Sequence, residues 1–194
     1  RLIMLENISE ADGLKFKITD ENYLDFENYN NSYFSFAPTF GDLDGDGDDD
    51  LIVGTQNGDL MYLQNTAGVG NTFAFAPPIF EYADIDVGDN AKPQLVDLNR
   101  DGLLDIVIGE RNQNENPFNE AKLGNINYFE NQGSVSSPIF DADVNALPNT
   151  PTLGGVVTRV IQESFSGSAA PTFIDTGSDY ILYTGSESGR MKVY

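Results

Sequence analysis

The sequence predicts an all-β fold built from repeats of four antiparallel strands, and three observations carry that prediction. First, two blocks recur along the chain. "APTFGDLDGDGDDDLIVG" (37–54) returns as "AKPQLVDLNRDGLLDIVIG" (91–109), with Asp42, Asp50 and Gly54 matching Asp97, Asp105 and Gly109 at an offset of 55. "GDLMYLQN" (58–65) returns as "GNINYFEN" (124–131) at an offset of 66. Second, the apolar runs "LIV", "IVI" and "YILY" are short, rich in β-branched and aromatic residues, and bounded by Gly and Asp. That is the signature of strands buried on both faces. Third, no amphipathic pattern lasts for three helical turns.

The elements follow in order. "RLIMLEN" (1–7) is the second block again after its glycine, and "GRMKVY" (189–194) is the same block cut short. The residue after the glycine falls at 1, 59, 125 and 190, in steps of 58, 66 and 65. "DLMYLQN" and "NINYFEN" alternate as half-buried strands should. "LKFKIT" (14–19), "FAFAPPIFEY" (73–82) and "SPIFDADV" (137–144) supply an outer strand per unit. The Pro pair in the second suits an edge, where a missing N–H does no harm. The expected division is 1–32, the end of one unit; 33–90 and 91–150, two full units; and 151–194, the start of a degenerate one. Four strands per repeat of this length are the numbers of a β-propeller blade. Three repeats are fewer than the four or so blades a closed ring needs. The expectation is a segment of a larger propeller, because both ends fall in mid-blade, or else pairing with other chains.

Composition narrows the function. The net charge of −21, from 31 acidic and 10 basic residues, repels nucleic acid and anionic membranes. There is no Cys, His or Trp. Disulfides, thiol nucleophiles and thiolate metal sites are excluded together, as are the commonest general base and zinc ligand. No run of about 18 apolar residues is present to span a membrane.

The densest charge is "GDLDGDGDDDLIVG" (41–54), with six aspartates between Asp42 and Asp50. Two carboxylates about 5 Å apart repel by roughly 3 kcal/mol at an effective dielectric near 20. The segment is either a solvated acidic turn or a cation site, and its copy discriminates. Oxygen-bearing side chains occupy positions 1, 3, 5 and 9 in both: Asp42, Asp44, Asp46 and Asp50, then Asp97, Asn99, Asp101 and Asp105. Gly47 and Gly102 hold position 6, where the chain must turn sharply. Between those positions the second copy becomes Leu, Arg, Leu and Leu, which generic acidity does not predict. Position 7, Asp48 or Leu103, would offer its backbone carbonyl. An oxygen-only set at this spacing favours Ca²⁺ over Mg²⁺, which demands stricter octahedral geometry. Position 12 is Val53 or Ile108 rather than a bidentate Glu, and the flanks are strands, so the loop is not an EF-hand. The third copy, "DTGSDY" (175–180), is two residues shorter and keeps only Asp175 and Asp179; a tight turn without bound metal is expected.

A small residue, Pro, an apolar residue, Asp-x-(Asp/Asn)-x-Asp-Gly-x-x-Asp, an apolar run and Gly: this pattern resembles the FG-GAP/VCBS repeat of integrin-α-like β-propellers. The likeness is strong in two copies and weak in the third. It implies four-stranded blades with Ca²⁺ in the loop joining the first two strands. It would assign one ion to Asp42, Asp44, Asp46, Asp50 and the Asp48 carbonyl, and a second to Asp97, Asn99, Asp101, Asp105 and the Leu103 carbonyl. Bacterial exported members carry a similar second block, which points to an extracellular or cell-surface protein. The family's ligands meet the face opposite the calcium hairpins. There the insertion 111–121, with Arg111, Asn112, Asn114, Asn116 and Phe118, and part of 145–170 would lie. Amide-rich loops with an aromatic residue suit a glycan or protein ligand.

Three functional readings follow: a calcium-stabilised, non-catalytic adhesion or binding module, an accessory propeller of a polysaccharide-degrading enzyme, and an architectural module of a surface complex. The first is preferred. The acids cluster where metal accounts for them, and Lys92, Lys122 and Arg159 are isolated, so no poised acid–base pair is visible.

Overall fold

A computed structural model describes residues 1–11, 13–111, 124–142, 152–158 and 167–194. Four antiparallel sheets follow one another along the chain. The first pairs β1 (Met4–Asn7) with β2 (Phe16–Asp20). The second runs β3 (Ala37–Gly41), β4 (Asp50–Gly54), β5 (Leu60–Leu63) in that order. The third is β6 (Lys92–Val96), β7 (Asp105–Gly109), β8 (Asn125–Phe129), β9 (Thr152–Val157), and the fourth β10 (Ala170–Asp175), β11 (Tyr180–Gly185), β12 (Met191–Val193). Short 3₁₀ segments at Tyr23–Tyr29 and Tyr82–Asp84 complete the described elements. The fold is all-β, as expected.

The sequence repeat is a structural repeat in register. Ala37 pairs with Gly54 and Gly41 with Asp50; Lys92 pairs with Gly109 and Val96 with Asp105. Alternate side chains of each central strand then face opposite neighbours, as the pleat requires. From the second sheet, Leu51, Val53, Met61 and Leu63 face back onto Phe26, Leu2 and Leu24. Ile52, Leu60 and Tyr62 face forward and pack with Ile106, Ile108 and Phe129 of the third sheet. On that sheet Val107 and Ile126 face forward again, onto Ala169 and Leu182. Sheets therefore stack face to face like successive blades, with β3, β6 and β10 lying side by side as their first strands. Each Leu, Ile or Val buried this way contributes roughly 1.5–3 kcal/mol.

Double-sided packing alters one expectation. β5 and β8 are not half-buried: Leu60, Met61, Tyr62 and Leu63 are all at most 8% exposed, because each face of the sheet has a neighbour. The outer strands also differ. β2 forms where expected. At 73–82 only Phe75 and Ile79 bridge to Asn65 and Tyr62, and the donorless Pro77-Pro78 between them interrupts the ladder. Among the described residues at 137–142 a single bridge, Ser134 to Ser137, stands in place of a strand, and 143–144 lie outside the described residues. The outer strand of the third sheet is β9, which lies beyond residue 150 in the segment assigned from sequence to the following unit.

Two glycines explain how closely the sheets approach. A Cβ on Gly54 would lie 2.3 Å from the Ala91 carbonyl oxygen, and one on Gly109 would lie 2.5 Å from that of Ala169. Beside each glycine a backbone hydrogen bond crosses between sheets, Ala91 N–H to Thr55 O (2.9 Å) and Ala169 N–H to Glu110 O (2.8 Å).

Candidate metal centre

The acidic segments connect β3 to β4 and β6 to β7, at the same end of their sheets. Both wrap their backbone around their own side chains. Asp42 Oδ2 accepts from Gly47 N–H (3.0 Å), and Asp97 Oδ2 accepts from Gly102 N–H (2.9 Å). Asp46 Oδ1 accepts from Asp48 N–H (3.0 Å), and Asp101 Oδ1 from Leu103 N–H (2.9 Å). Gly47 and Gly102 both have φ of 91°, a left-handed turn that side chains disfavour. The position-6 glycine is therefore a backbone requirement of the loop.

In the first loop the carboxylates of Asp42, Asp44 and Asp46 converge, with one oxygen of each within 4.8 Å of the others. Each pair at that separation repels by about 3 kcal/mol at an effective dielectric near 20. Asp42 Oδ1 is buried without a hydrogen bond, and so is Oδ2 of Asp48. Asp48, expected to lend only its backbone, has its side chain 6% exposed. Buried carboxylate oxygens without donors are costly unless a cation meets them. Hard oxygen donors in this number fit a divalent ion of the Ca²⁺ type.

Asp50 and Asp105 stand outside that cluster. Each is fully buried and turned toward protein donors. Asp50 Oδ2 accepts from Leu43 N–H (3.3 Å) and the Tyr62 hydroxyl (3.0 Å), and Oδ1 from Asn65 N–H (2.8 Å). Asp105 repeats this with Leu98 N–H (3.1 Å), Tyr128 (2.9 Å) and Asn131 N–H (2.9 Å). One lone pair of each Oδ1 is left for any further partner. Burial pushes both carboxyls up, against the pull of these donors. Burial also raises the phenols of Tyr62 and Tyr128, with the adjacent carboxylate adding to it.

The asparagines complete the lock. Asn65 Oδ1 accepts from the N–H groups of Ala67 and Ala74, and Asn131 Oδ1 from those of Gly133 and Ile139. Each Nδ2 donates back to the loop end, at Asp49 O and Leu104 O. These four residues were missed as site residues, although Tyr62 and Asn65 match Tyr128 and Asn131 at the offset of 66. A Tyr in the third strand followed three residues on by an Asn, repeated in both units, was the available signal.

The second loop gathers its own partners. Asn99 donates to Asp101 Oδ2 (2.9 Å) and to Glu130 Oε1 (3.0 Å). Arg100, at φ 62° where the first loop has Gly45, holds Asp175 by two hydrogen bonds of 2.8 and 3.3 Å and covers the Tyr180 ring at 4.4 Å. The Tyr180 hydroxyl donates to Asp97 O (2.7 Å). The third loop is the tight turn expected, closed by Thr176 N–H to Asp179 O (2.9 Å).

At the opposite end of the sheets, Arg111 follows β7, donates its backbone N–H to Asp89 O (2.9 Å) and pairs with Glu187 at 3.6 Å. Lys92 donates to the Ser168 hydroxyl at 2.7 Å, and burial lowers its ammonium. Asn112, Asn114, Asn116, Phe118, Lys122 and Arg159 lie outside the described residues. No helix among the described residues is long and apolar enough to cross a membrane.

No curated protein and no solved structure matches the chain. A family model described as "FG-GAP-like repeat" matches residues 42–108. That span starts at the first aspartate of the first acidic loop and ends within β7, so it contains both loops and the strands β4, β5 and β6 between them. The chain thus carries an FG-GAP-like repeat, in an all-β arrangement of stacked antiparallel sheets.

Proposed function

We propose that the chain is a calcium-stabilised, non-catalytic β-propeller module of an exported or cell-surface protein, used to bind a protein or glycan. The observation that carries this reading is the convergence of Asp42, Asp44 and Asp46, with Asp42 Oδ1 buried and without a donor. Calcium, when bound, supplies the positive charge that offsets their repulsion. Asp42, Asp44 and Asp46 would hold one ion with carbonyl support from Asp48; Asp97, Asn99 and Asp101 would hold a second with Leu103. Asp50 and Asp105 act from behind, fixing the loop ends to the third strand of each sheet. Because only the folded hairpin assembles the donors, binding adds to stability by mass action. Extracellular calcium fills even sites with dissociation constants of about 10⁻⁴–10⁻³ M. The ligand would meet the opposite end, near Arg111 and the segments that follow it.

Calorimetric titration after chelation tests the metal reading. Two calcium equivalents and a raised melting temperature are expected. Unchanged stoichiometry in the Asp44→Ala, Asp101→Ala double variant would overturn the assignment. A glycan array and pull-downs test the ligand class, and retained hits after Arg111→Ala would argue against that end of the sheets.

A further inference from the structure

We propose that the two acidic loops are unequal: 42–50 is the stronger calcium site, and 97–105 is a weaker one that the protein's own side chains already hold in shape. The proposal rests on the calcium reading above and concerns how the two sites share the work.

The loops share most backbone hydrogen bonds, but Asp101 N–H to Asp97 Oδ1 (3.0 Å) has no counterpart in the first loop, and the charge economies are opposite. Loop 42–50 carries six aspartates and no basic residue. Its buried Asp42 Oδ1 and Asp48 Oδ2 have no hydrogen-bond donor. In loop 97–105, Asn99 replaces Asp44 and Leu103 replaces Asp48, which removes two negative charges. Arg100 adds a positive one, beside Asp97 and paired with Asp175. The Asn99 amide already donates to Asp101, and Tyr180 pins the Asp97 carbonyl. Calcium affinity in oxygen sites rises with the count of negative ligands. A cation therefore relieves more repulsion in the first loop, where the Gln64 amide on Asp44 Oδ2 (2.6 Å) is neutral, and in the second it meets fewer negative charges with the Arg100 charge nearby. The third loop, expected from its sequence to hold no metal, extends the trend: its Asp175 has Arg100 as counter-ion.

The test is calcium calorimetry on the intact chain after chelation, using Asp101→Ala to leave the first loop and Asp44→Ala to leave the second. The Asp101→Ala protein should bind with a dissociation constant about tenfold or more below that of the Asp44→Ala protein. Should Asp44→Ala fail to fold, Asn99→Asp and Asp48→Leu in the otherwise native chain give the same answer. The first should strengthen the weaker step of a biphasic isotherm, and the second should weaken the stronger step. Equal constants, or tighter binding by the second loop, would overturn the inequality while leaving the calcium reading intact. Absence of binding by the native chain would overturn the calcium reading itself.

Discussion

The Tyr62 hydroxyl donates to Asp50 Oδ2 over 3.0 Å, joining the middle of β5 to the residue that closes the first acidic loop. Tyr128 does the same for Asp105 at 2.9 Å, one repeat later. A hydrogen bond to a buried charged acceptor contributes about 1.5–3 kcal/mol. Tyr62→Phe keeps the ring packing against Tyr82 and removes only the donor. Chemical denaturation should show a loss in that range for Tyr62→Phe and for Tyr128→Phe. Losses below about 0.5 kcal/mol would mean that the remaining N–H donors suffice.

Asn65→Ala should be worse than Tyr62→Phe. It strands the N–H groups of Ala67 and Ala74 and the Asp49 carbonyl together, while leaving the Asn65 backbone bond to Asp50 in place. A group stranded away from water costs about 1–3 kcal/mol, and here the exposure of Asp49 and Ala74 lets water offset part of that. Hydrogen exchange should report the damage first in 66–76, the segment whose path the side chain sets. Uniform exchange across the second sheet would instead mean a global loss.

Gly54→Ala and Gly185→Ala form a controlled pair. They occupy equivalent ends of β4 and β11, yet a Cβ at Gly54 meets the Ala91 carbonyl at 2.3 Å while one at Gly185 meets nothing within 4 Å. The clash involves backbone, so the neighbouring sheet must move. Overpacking of this kind costs about 1–3 kcal/mol or more. Gly185→Ala should fall within about 1 kcal/mol of the native protein. Similar melting temperatures for the two variants would show that the sheets shift freely.

Much of this was legible because period and offset encode the packing. Gly54 and Gly109 repeat because two sheets touch there, and Asp42 and Asp97 repeat because the loop folds around their oxygens. What stayed hidden depends on contacts distant in sequence. Nothing local to "LMYL" says that both faces of β5 are covered; that follows from Phe26 on one side and Ile106 on the other. The position-9 aspartates read as loop ligands from spacing; that the first residue of β4 or β7 also accepts from Tyr62 or Tyr128 is something only strand register reveals. The pairing of Arg100 with Asp175 spans 75 residues, so nothing local to the loop announces it.

That pair gives a pH signature. The Arg100 guanidinium, aided by the Gly177 N–H, holds the Asp175 carboxyl below the usual carboxylate range. A carboxyl whose pKa is depressed by folding adds stability above its unfolded pKa, near 4, and loses it as pH falls through the lower folded value. Arg100→Gln should therefore melt slightly below the native chain at neutral pH. The gap should close as pH drops below about 4, and it should shrink in high salt because the pair is exposed. The comparison belongs in chelated protein, so that calcium loading does not differ between the two chains. A gap that persists unchanged into acid would assign the effect to Arg100 packing over Tyr180, which does not depend on the charge of Asp175.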